Sequence, residues 1–259
     1  MKILLAGGMV VEFLSLKKQD KMYKKRILIV TGATEIFPEK GDTGIMSVLD
    51  ASMKSKQKYA QKHNYDLICM RSFGSDISGR YKDTDIGFLR VLRGFDFLEY
   101  YDIVMWIDAD AIITNDSYKI EDFELTDQHV FYASPDWNNN NTFNTGNFII
   151  KKTENLKYFK EAFLAASKNF QNEQDTINFL FYSTQLKLLM KMIHHRYLNS
   201  ALDNKLAIPL LEPSDQVGWS RSRPNVVNPW NKDCFLIHLT GMSNVNRMNI
   251  TNKIFQEYL

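Results

Sequence analysis

Two aspartates, Asp108 and Asp110, directly follow an apolar run from Ile103 to Ile107, and a second apolar run begins at Ala111. A continuous apolar run of this length is typical of a strand buried on both faces, as at the centre of an α/β sheet. Two carboxylates at the end of such a strand are costly to bury unless a positive charge compensates them. A divalent cation would compensate them, because hard cations bind carboxylate oxygens and often bind a phosphate on their open side.

The alternative interpretation of this segment is a solvated turn that follows an ordinary strand. The apolar residues on both sides of the two aspartates favour a functional site, since ligands gather at the carboxyl ends of strands in open α/β sheets. The segment therefore predicts a central strand whose carboxyl end carries a metal site.

Length and composition are compatible with one α/β domain that has a sizeable core. The 259 residues are 44% hydrophobic and 24% charged, which are ordinary values for a globular protein. The net charge is only +2, so nothing indicates a nucleic-acid partner. Cys69 and Cys234 lie far apart in apolar contexts, which favours two buried thiols in a reducing compartment over a disulfide.

The N-terminal segment has only part of the character of a signal peptide. Glu12 interrupts its apolar run, and Lys17 and Lys18 follow where small residues would mark a cleavage site. No run in the chain reaches the roughly 18 apolar residues that a membrane span needs. We therefore predict an N-terminal extension of uncertain order over residues 1–22, a single domain over 23–259, no transmembrane segment, and a cytoplasmic location.

Strand and helix patterns alternate in the first half of the chain. Strand patterns at Ile27–Val30 and Tyr65–Met70 flank a helical pattern from Met46 to Asn64, and this order predicts a parallel sheet. The first strand ends at Thr31 and Gly32, a glycine-containing turn of the kind that opens many nucleotide sites, although the G-x-G-x-x-G spacing is absent.

The remaining elements follow the same alternation. Four consecutive asparagines, residues 138–141, predict a polar loop, which is one candidate wall for an acceptor. Further helices are predicted at Phe88–Tyr101, at Leu156–Phe170 and from Gln174, and further strands at Val130–Ala133, Phe143–Ile150 and Cys234–His238.

Four short motifs occur in the order in which one enzyme family has them. They are Trp106–Ala111 with its Asp-x-Asp, Asn144-Thr145-Gly146, Glu173-Gln174-Asp175, and His238–Gly241 with its His-x-x-Gly. Through these motifs the chain resembles the metal-dependent, retaining glycosyltransferases of GT-A fold. The resemblance extends from about Arg26 to Gly241. It is strongest to the group of yeast α-1,2-galactosyltransferase, yeast α-1,6-mannosyltransferase subunits and plant xyloglucan xylosyltransferases.

The resemblance implies a fold and a metal site. The fold is α/β, with a Rossmann-like central mixed sheet flanked by helices and two closely abutting halves. Asp108, Asp110 and His238 would bind Mn²⁺ or Mg²⁺, and this mixed oxygen and nitrogen set suits such cations. A packed core histidine is the alternative for His238.

The resemblance also implies the donor site. Gln174 would lie near the anomeric carbon, and Asp175 would fix the donor sugar or the acceptor hydroxyl. The same two residues would otherwise serve only to cap a helix. Asn144 and Gly146 would lie beside the donor sugar, or would otherwise form a simple turn. The full set of residues assigned to nucleotide-sugar binding is Thr31, Gly32, Arg90, Asp108, Ala109, Asn144, Gly146, Gly241 and Arg247.

The chain departs from the family at one position of the donor site. Relatives usually place a lysine or another cation five or six residues past the motif histidine, where it binds the diphosphate, but this chain has Ser243 and Asn244 there. The next cation is Arg247, which either reaches the phosphates or leaves the donor weakly bound.

The predicted activity is transfer of a hexose or pentose from a nucleotide-diphosphate sugar to a glycan-type hydroxyl, with retention to give an α linkage. A UDP-sugar is favoured over a GDP-sugar, and a bacterial or viral enzyme over a Golgi-resident one. A homodimer is compatible with this reading. The alternative is a weak or inactive nucleotide-sugar-binding relative that acts through a protein partner.

Two other enzyme classes fit the sequence less well. Aspartyl-phosphate phosphatases also place Asp-x-Asp after an apolar strand, but they need a Gly-Thr-type continuation where this chain has Ala111-Ile112-Ile113. Nucleotidyltransferases need a glycine-rich N-terminal signature that the segment from Thr31 to Glu35 does not provide.

Overall fold

The computed structural model describes residues 2–4, 10–13, 25–33, 44–71, 86–136, 139–202 and 229–257. The strands are β1 (Lys2–Leu4), β2 (Val10–Phe13), β3 (Ile27–Gly32), β4 (Asp66–Met70), β5 (Ile103–Ile107), β6 (Ala111–Ile113), β7 (Phe131–Asp136), β8 (Asn139–Lys151), β9 (Met190–Met192) and β10 (Leu236–His238). The helices are α1 (Ile45–His63), α2 (Ile86–Phe97), α3 (Leu156–Ala166), α4 (Glu173–Ser183), α5 (His195–Leu198) and α6 (Asn244–Glu257). Short 3₁₀ turns lie at Ile120–Asp122, Ser167–Asn169 and Gln185–Leu189.

Within these residues, eight strands form one mixed sheet in the order β1-β2-β4-β3-β5-β8-β7-β9. β3 pairs in parallel with both β4 and β5, as the strand–helix–strand order predicts. β8 pairs antiparallel with β5 and with β7. The mixed sheet flanked by helices is the predicted fold class.

The central strand β5 has its side chains buried on both faces of the sheet. Because successive side chains of a strand point to opposite faces, Ile103, Met105 and Ile107 pack on the face that α1 covers. Val104 and Trp106 pack on the other face, against residues of α2, α3 and α4. The uninterrupted apolar run is therefore the expected consequence of two hydrophobic cores that share one strand.

The two-stranded sheet of β6 and β10 brings the late part of the chain beside the Asp-x-Asp segment. β10 pairs antiparallel with β6, so that His238 lies opposite Ala111. This pairing explains how residues more than a hundred positions apart reach the same site.

The asparagine run corrects the loop prediction. Residues 139–141 begin strand β8, and Asn139 pairs with Asp136 of β7, while residues 137 and 138 lie outside the described part. The ladder between the strands uses backbone groups, so the pair continues with polar side chains after the apolar core has ended.

Strands β1 and β2 lie within the predicted N-terminal extension. They pair with each other, and β2 adds to the sheet antiparallel to β4. Whether residues 1–22 form a unit apart from the domain stays a prediction. Among the described helices, none has the length and apolar character of a membrane span.

Candidate active site

Asp108, Asp110 and His238 converge where β5 ends and β10 ends. One potential ligand atom from each residue lies within 4.8 Å of the others. The His238 Nε2 atom lies 3.4 Å from Asp110 Oδ1 and 3.9 Å from Asp108 Oδ2. Two carboxylates and an imidazole form a donor set that suits a divalent cation such as Mn²⁺, so the residues fit the metal that the sequence predicts.

The His238 ring is fixed from behind by a second residue. Its Nδ1 atom lies 2.9 Å from the Asn199 Oδ1 atom, which can only accept, so Nδ1 donates to this oxygen and Nε2 is directed toward the two carboxylates. The Asn199 amide in turn donates to the Pro135 carbonyl at 2.8 Å. His238 is therefore buried and has the orientation that metal-ligating histidines usually have.

The Asp108 carboxylate is held on its other oxygen. The Trp106 indole donates to Asp108 Oδ1 at 2.7 Å, and the Arg90 guanidinium forms a salt bridge with the same atom. The backbone amide of Asp108 donates to the Asn147 side chain at 3.0 Å. These contacts leave Oδ2 directed toward His238.

Asp110 is buried and paired with two cationic or potentially cationic groups. The Arg247 guanidinium lies 3.0 Å from its Oδ2 atom, and Oδ1 is the atom nearest His238. Burial raises the pKa of the Asp110 carboxyl, but His238 and Arg247 outweigh burial and hold the pKa below its usual range. Asp110 is therefore an ionised carboxylate at neutral pH.

Gly146 lies so close to this cluster that the position has no room for a side chain. A Cβ atom at this position would be 2.4 Å from His238 Cε1 and 2.9 Å from Asp108 Oδ2. The Gly146 amide donates to Asn144 Oδ1 at 3.0 Å, and Asn144 donates to Asp136 at 3.1 Å. The Asn-Thr-Gly segment is thus part of strand β8, not a simple turn, and it lies where the register with β7 shifts and the backbone reaches the cluster.

Glu173 is a site residue that the sequence analysis missed. It is buried, it forms a salt bridge with Arg90, and it accepts from the Thr145 hydroxyl at 3.0 Å. Arg90 therefore joins Asp108 to Glu173, and the two carboxylates outweigh burial and raise its pKa. The position of Glu173, directly before Gln174 in the third motif, was the available signal.

Gln174 and Asp175 lie in the first turn of α4, in different environments. Gln174 accepts from the Thr145 amide at 3.1 Å, which ties it to the same segment as Gly146. Asp175 is exposed, and its carboxylate accepts from Asn172 at 2.8 Å while its amide donates to Asn172 Oδ1 at 2.7 Å. The cap alternative thus describes the contacts of Asp175, whereas the Gln174 side chain contacts the Asn-Thr-Gly segment.

The remaining predicted donor residues lie at the ends of elements beside the cluster. Val30 pairs with Trp106, so Gly32 lies two residues on in the strand next to Asp108. The buried Thr31 hydroxyl has no hydrogen-bond partner among the described residues. A hydroxyl that binds a ligand is expected to be unpaired in the same way when the ligand is not bound. Gly241 follows β10 with a φ of 71°, a left-handed conformation that favours glycine.

Lys56, on helix α1, is a second residue that the sequence analysis missed. Its Nζ atom donates to the Asp108 carbonyl at 3.0 Å and to the Ser52 hydroxyl at 2.7 Å. The available signal was its spacing from Leu49, Ser52 and Ala60, which places it on the buried stripe of the helix. The adjacent histidines His194 and His195 are not among the three potential metal ligands.

Solved structures of glycosyltransferases share this fold. A glycosyltransferase involved in glycosylation of the major capsid of PBCV-1 matches with a TM-score of 0.55 at 15% identity, over 88% of this chain and 99% of that one. The galactosyltransferase LgtC, in complex with donor and acceptor sugar analogs, matches with a TM-score of 0.51 at 16% identity, over 88% and 94%. GlyE of Streptococcus pneumoniae matches with a TM-score of 0.51 at 13% identity, over 90% and 63%. The chain therefore has the GT-A fold.

A family model supports the same class from sequence. Residues 23–131 match the galactosyl transferase GMA12/MNN10 family, and this part includes the Asp-x-Asp motif. No curated protein sequence matches the chain. The match over residues 23–131 and the shared fold confirm the predicted resemblance to GT-A glycosyltransferases, and they indicate a glycosyltransferase.

Proposed function

We propose that this glycosyltransferase is metal-dependent and moves a hexose or pentose from a nucleotide-diphosphate sugar to a glycan hydroxyl with retention. The observation that carries the proposal is the convergence of Asp108, Asp110 and His238 at the carboxyl edge of the sheet. That edge is where open α/β sheets bind ligands. The donor-site motifs meet the cluster there through Arg90 and Gly146.

Asp108, Asp110 and His238 are the residues that would hold Mn²⁺ or Mg²⁺. When bound, the cation neutralises the negative charge that develops on the departing nucleotide diphosphate. The Arg247 guanidinium forms a salt bridge with Asp110, so it lies next to the proposed metal ligands. We propose that Arg247 takes the part of the lysine that relatives place nearer to the histidine, and binds the diphosphate.

Arg90, Glu173 and Asn144 surround the cluster with fixed polar groups. The Arg90 side chain is held in place by the carboxylates of Asp108 and Glu173, and it has an additional buried Nε–H without a partner among the described residues. We propose that this group positions the donor sugar. Thr31 and Gly32, on the neighbouring strand, are proposed to contact the nucleoside part, for which uridine is favoured over guanosine.

Gln174 is proposed to lie against the face of the sugar opposite the leaving group. An amide is a poor nucleophile, so retention is better explained by attack on the same face, with Gln174 stabilising positive charge at the anomeric carbon. In this step the bond from the anomeric carbon to the diphosphate oxygen breaks and a bond to the acceptor oxygen forms. The acceptor proton passes to the departing diphosphate. The exposed Asp175 is proposed to contact the acceptor.

A donor screen tests this proposal. The protein is mixed with UDP- and GDP-sugars, each with Mn²⁺ or with a chelator, and thermal shift and donor hydrolysis are measured. We expect a Mn²⁺-dependent response to one nucleotide, which Asp108→Ala and Asp110→Ala abolish. Lys253→Ala is the control, because Lys253 lies in an exposed helical ion pair with Glu257.

The other outcomes of this screen contradict the proposal in distinct ways. Hydrolysis that proceeds equally with chelator would contradict the metal dependence. Binding of a nucleotide sugar without hydrolysis or transfer would favour the binding relative that acts through a partner. If Gln174→Ala left turnover unchanged while Asp110→Ala abolished it, the role of Gln174 would be wrong.

A further inference from the structure

Lys56 has no exposed surface and lies directly behind the Asp108–Asp110 turn. Its two hydrogen bonds are to the Asp108 carbonyl at 3.0 Å and to Ser52 Oγ at 2.7 Å. Ser52, also fully buried, donates to the Ala109 carbonyl at 2.6 Å. One turn of α1 thus contacts two successive carbonyl groups between the proposed metal ligands.

Burial of a lysine at such a position costs folding free energy. Burial lowers the pKa of Lys56 to about 7, although Asp110, Cys69 and Asp108 act in the opposite direction. A methionine would fill a similar volume without this cost, and buried ionisable groups are often replaced by apolar ones with no loss of stability. Stability alone therefore does not explain why a lysine is found here. An ammonium and a neutral amine both donate hydrogen bonds, so the contact with Asp108 persists in either protonation state.

Four backbone polar groups from Asp108 to Asp110 are hydrogen-bonded. The Asp108 amide donates to Asn147, and the Asp108 carbonyl accepts from Lys56 and from the Ala111 amide. The Ala109 carbonyl accepts from Ser52, and the Asp110 carbonyl accepts from the Leu239 amide at 3.0 Å. The last of these bonds comes from the residue that follows His238. These bonds hold the backbone from which both carboxylates project.

We propose that Lys56, together with Ser52, is a positioning residue of the metal site, which holds the Asp108–Asp110 turn so that both carboxylates face His238. Lys56 contacts neither substrate nor metal in this account, because it acts through the carbonyl of Asp108. The inference rests on the proposed metal-binding function.

The test uses Lys56→Met and Ser52→Ala in the full chain. Amide hydrogen exchange at residues 108–111 is measured on the metal-free protein, and Mn²⁺ affinity is measured by electron paramagnetic resonance with saturating UDP. We expect faster exchange at the turn and a Kd for Mn²⁺ that rises roughly tenfold, as is typical when a supporting partner of a ligand is removed. Saturating Mn²⁺ should restore most of kcat, so that the loss is chiefly in the Mn²⁺ concentration required.

Lys151→Met is the matched control. Lys151 is also a buried lysine, and it donates to the Thr126 carbonyl at 2.7 Å. It pairs with Ile103 at the opposite end of β5 from Asp108, so its loss should change stability but not Mn²⁺ affinity. This variant separates the loss of a buried amine from the loss of support to the turn.

Two effects of Lys56→Met on Mn²⁺ binding have opposite signs. Loss of an amine that repels Mn²⁺ when protonated should tighten binding, whereas loss of support to the turn should weaken it. Unchanged or tighter Mn²⁺ binding in Lys56→Met, with unchanged exchange at residues 108–111, would overturn the inference. If Lys56→Met does not fold, Ser52→Ala tests the same support without altering charge. Absence of Mn²⁺ binding by the unmodified protein would instead contradict the proposed function, and hydrogen exchange would still decide the positioning role.

Discussion

Substitution of Gly146 by alanine places a single methyl group inside the candidate metal site. The added Cβ atom would lie 2.4 Å from His238 Cε1, about 1 Å short of the 3.4 Å at which ordinary contact begins. Neither neighbour can yield freely, because His238 is buried and bonded to Asn199, and Asp108 is held by Trp106. The strand or the imidazole must therefore move by a large part of that distance.

The expected effect is large on function and moderate on stability. A misplacement of roughly 1 Å at a reacting centre costs on the order of 10²-fold in rate. Overpacking by one methyl group costs about 1–3 kcal/mol of stability. We expect Gly146→Ala to lower kcat/KM for donor hydrolysis by about 10²-fold and to weaken Mn²⁺ binding, measured by electron paramagnetic resonance with UDP, while the protein stays folded.

Gly94→Ala is the matched control for this experiment. Its added Cβ would lie 2.8 Å from the Cδ1 atom of Ile150, a side-chain terminus that can rotate away. The gain in helix propensity, about 1 kcal/mol, offsets the crowding, and the site is not touched. Mn²⁺ affinity and turnover within threefold of the unmodified protein for Gly146→Ala, with Gly94→Ala also unchanged, would refute the assigned geometry.

Three further predictions concern the support of the site and the stability of the chain. Asn199→Ala removes the partner of His238 Nδ1, so Mn²⁺ affinity should fall by roughly 10–100-fold in the same titration, and an unchanged affinity would contradict this role. Asn172→Ala removes the α4 cap that bonds Asp175, and urea unfolding should show a loss of about 1 kcal/mol, whereas no loss would mean that water replaces the cap. Burial, together with His194 and Arg196, lowers the pKa of His195 to about 4. Between pH 6.5 and 4 the unfolded chain therefore binds a proton at His195 that the folded chain does not. The free energy of unfolding should fall as the pH falls through this window. His195→Gln should flatten this part of the stability profile in thermal unfolding, and an unchanged slope would show that other groups cause it.

Much of the fold follows from patterns that local sequence expresses directly. The apolar run of β5 predicts a strand with two buried faces, and the spacing of Leu49, Met53 and Ala60 predicts the buried stripe of α1. The asparagine run did not predict a strand, because backbone pairing with β7 determines its conformation and leaves no trace in side-chain hydrophobicity.

Some residues of the candidate site can likewise be predicted from local sequence, and others cannot. Asp108 and Asp110 are predictable from their position after a buried strand, since both the burial and the charge are visible in sequence. The approach of His238 depends on pairing between β6 and β10, which local pattern does not specify, so only the order of motifs indicated it. Glu173 and Lys56 were missed because their contacts are with residues far away in the chain, and an acidic helix start or a lysine in a helix is usually solvated.

The central claim is that Asp108, Asp110 and His238 form one divalent-cation site that the nucleotide completes. The most direct measurement is a titration of the protein with Mn²⁺ in the presence of UDP or GDP, followed by electron paramagnetic resonance. We predict that each chain binds one Mn²⁺, that Asp110→Asn abolishes this binding and that His238→Gln weakens it. Stoichiometric Mn²⁺ binding that survives both substitutions, or no binding with either nucleotide, would contradict it.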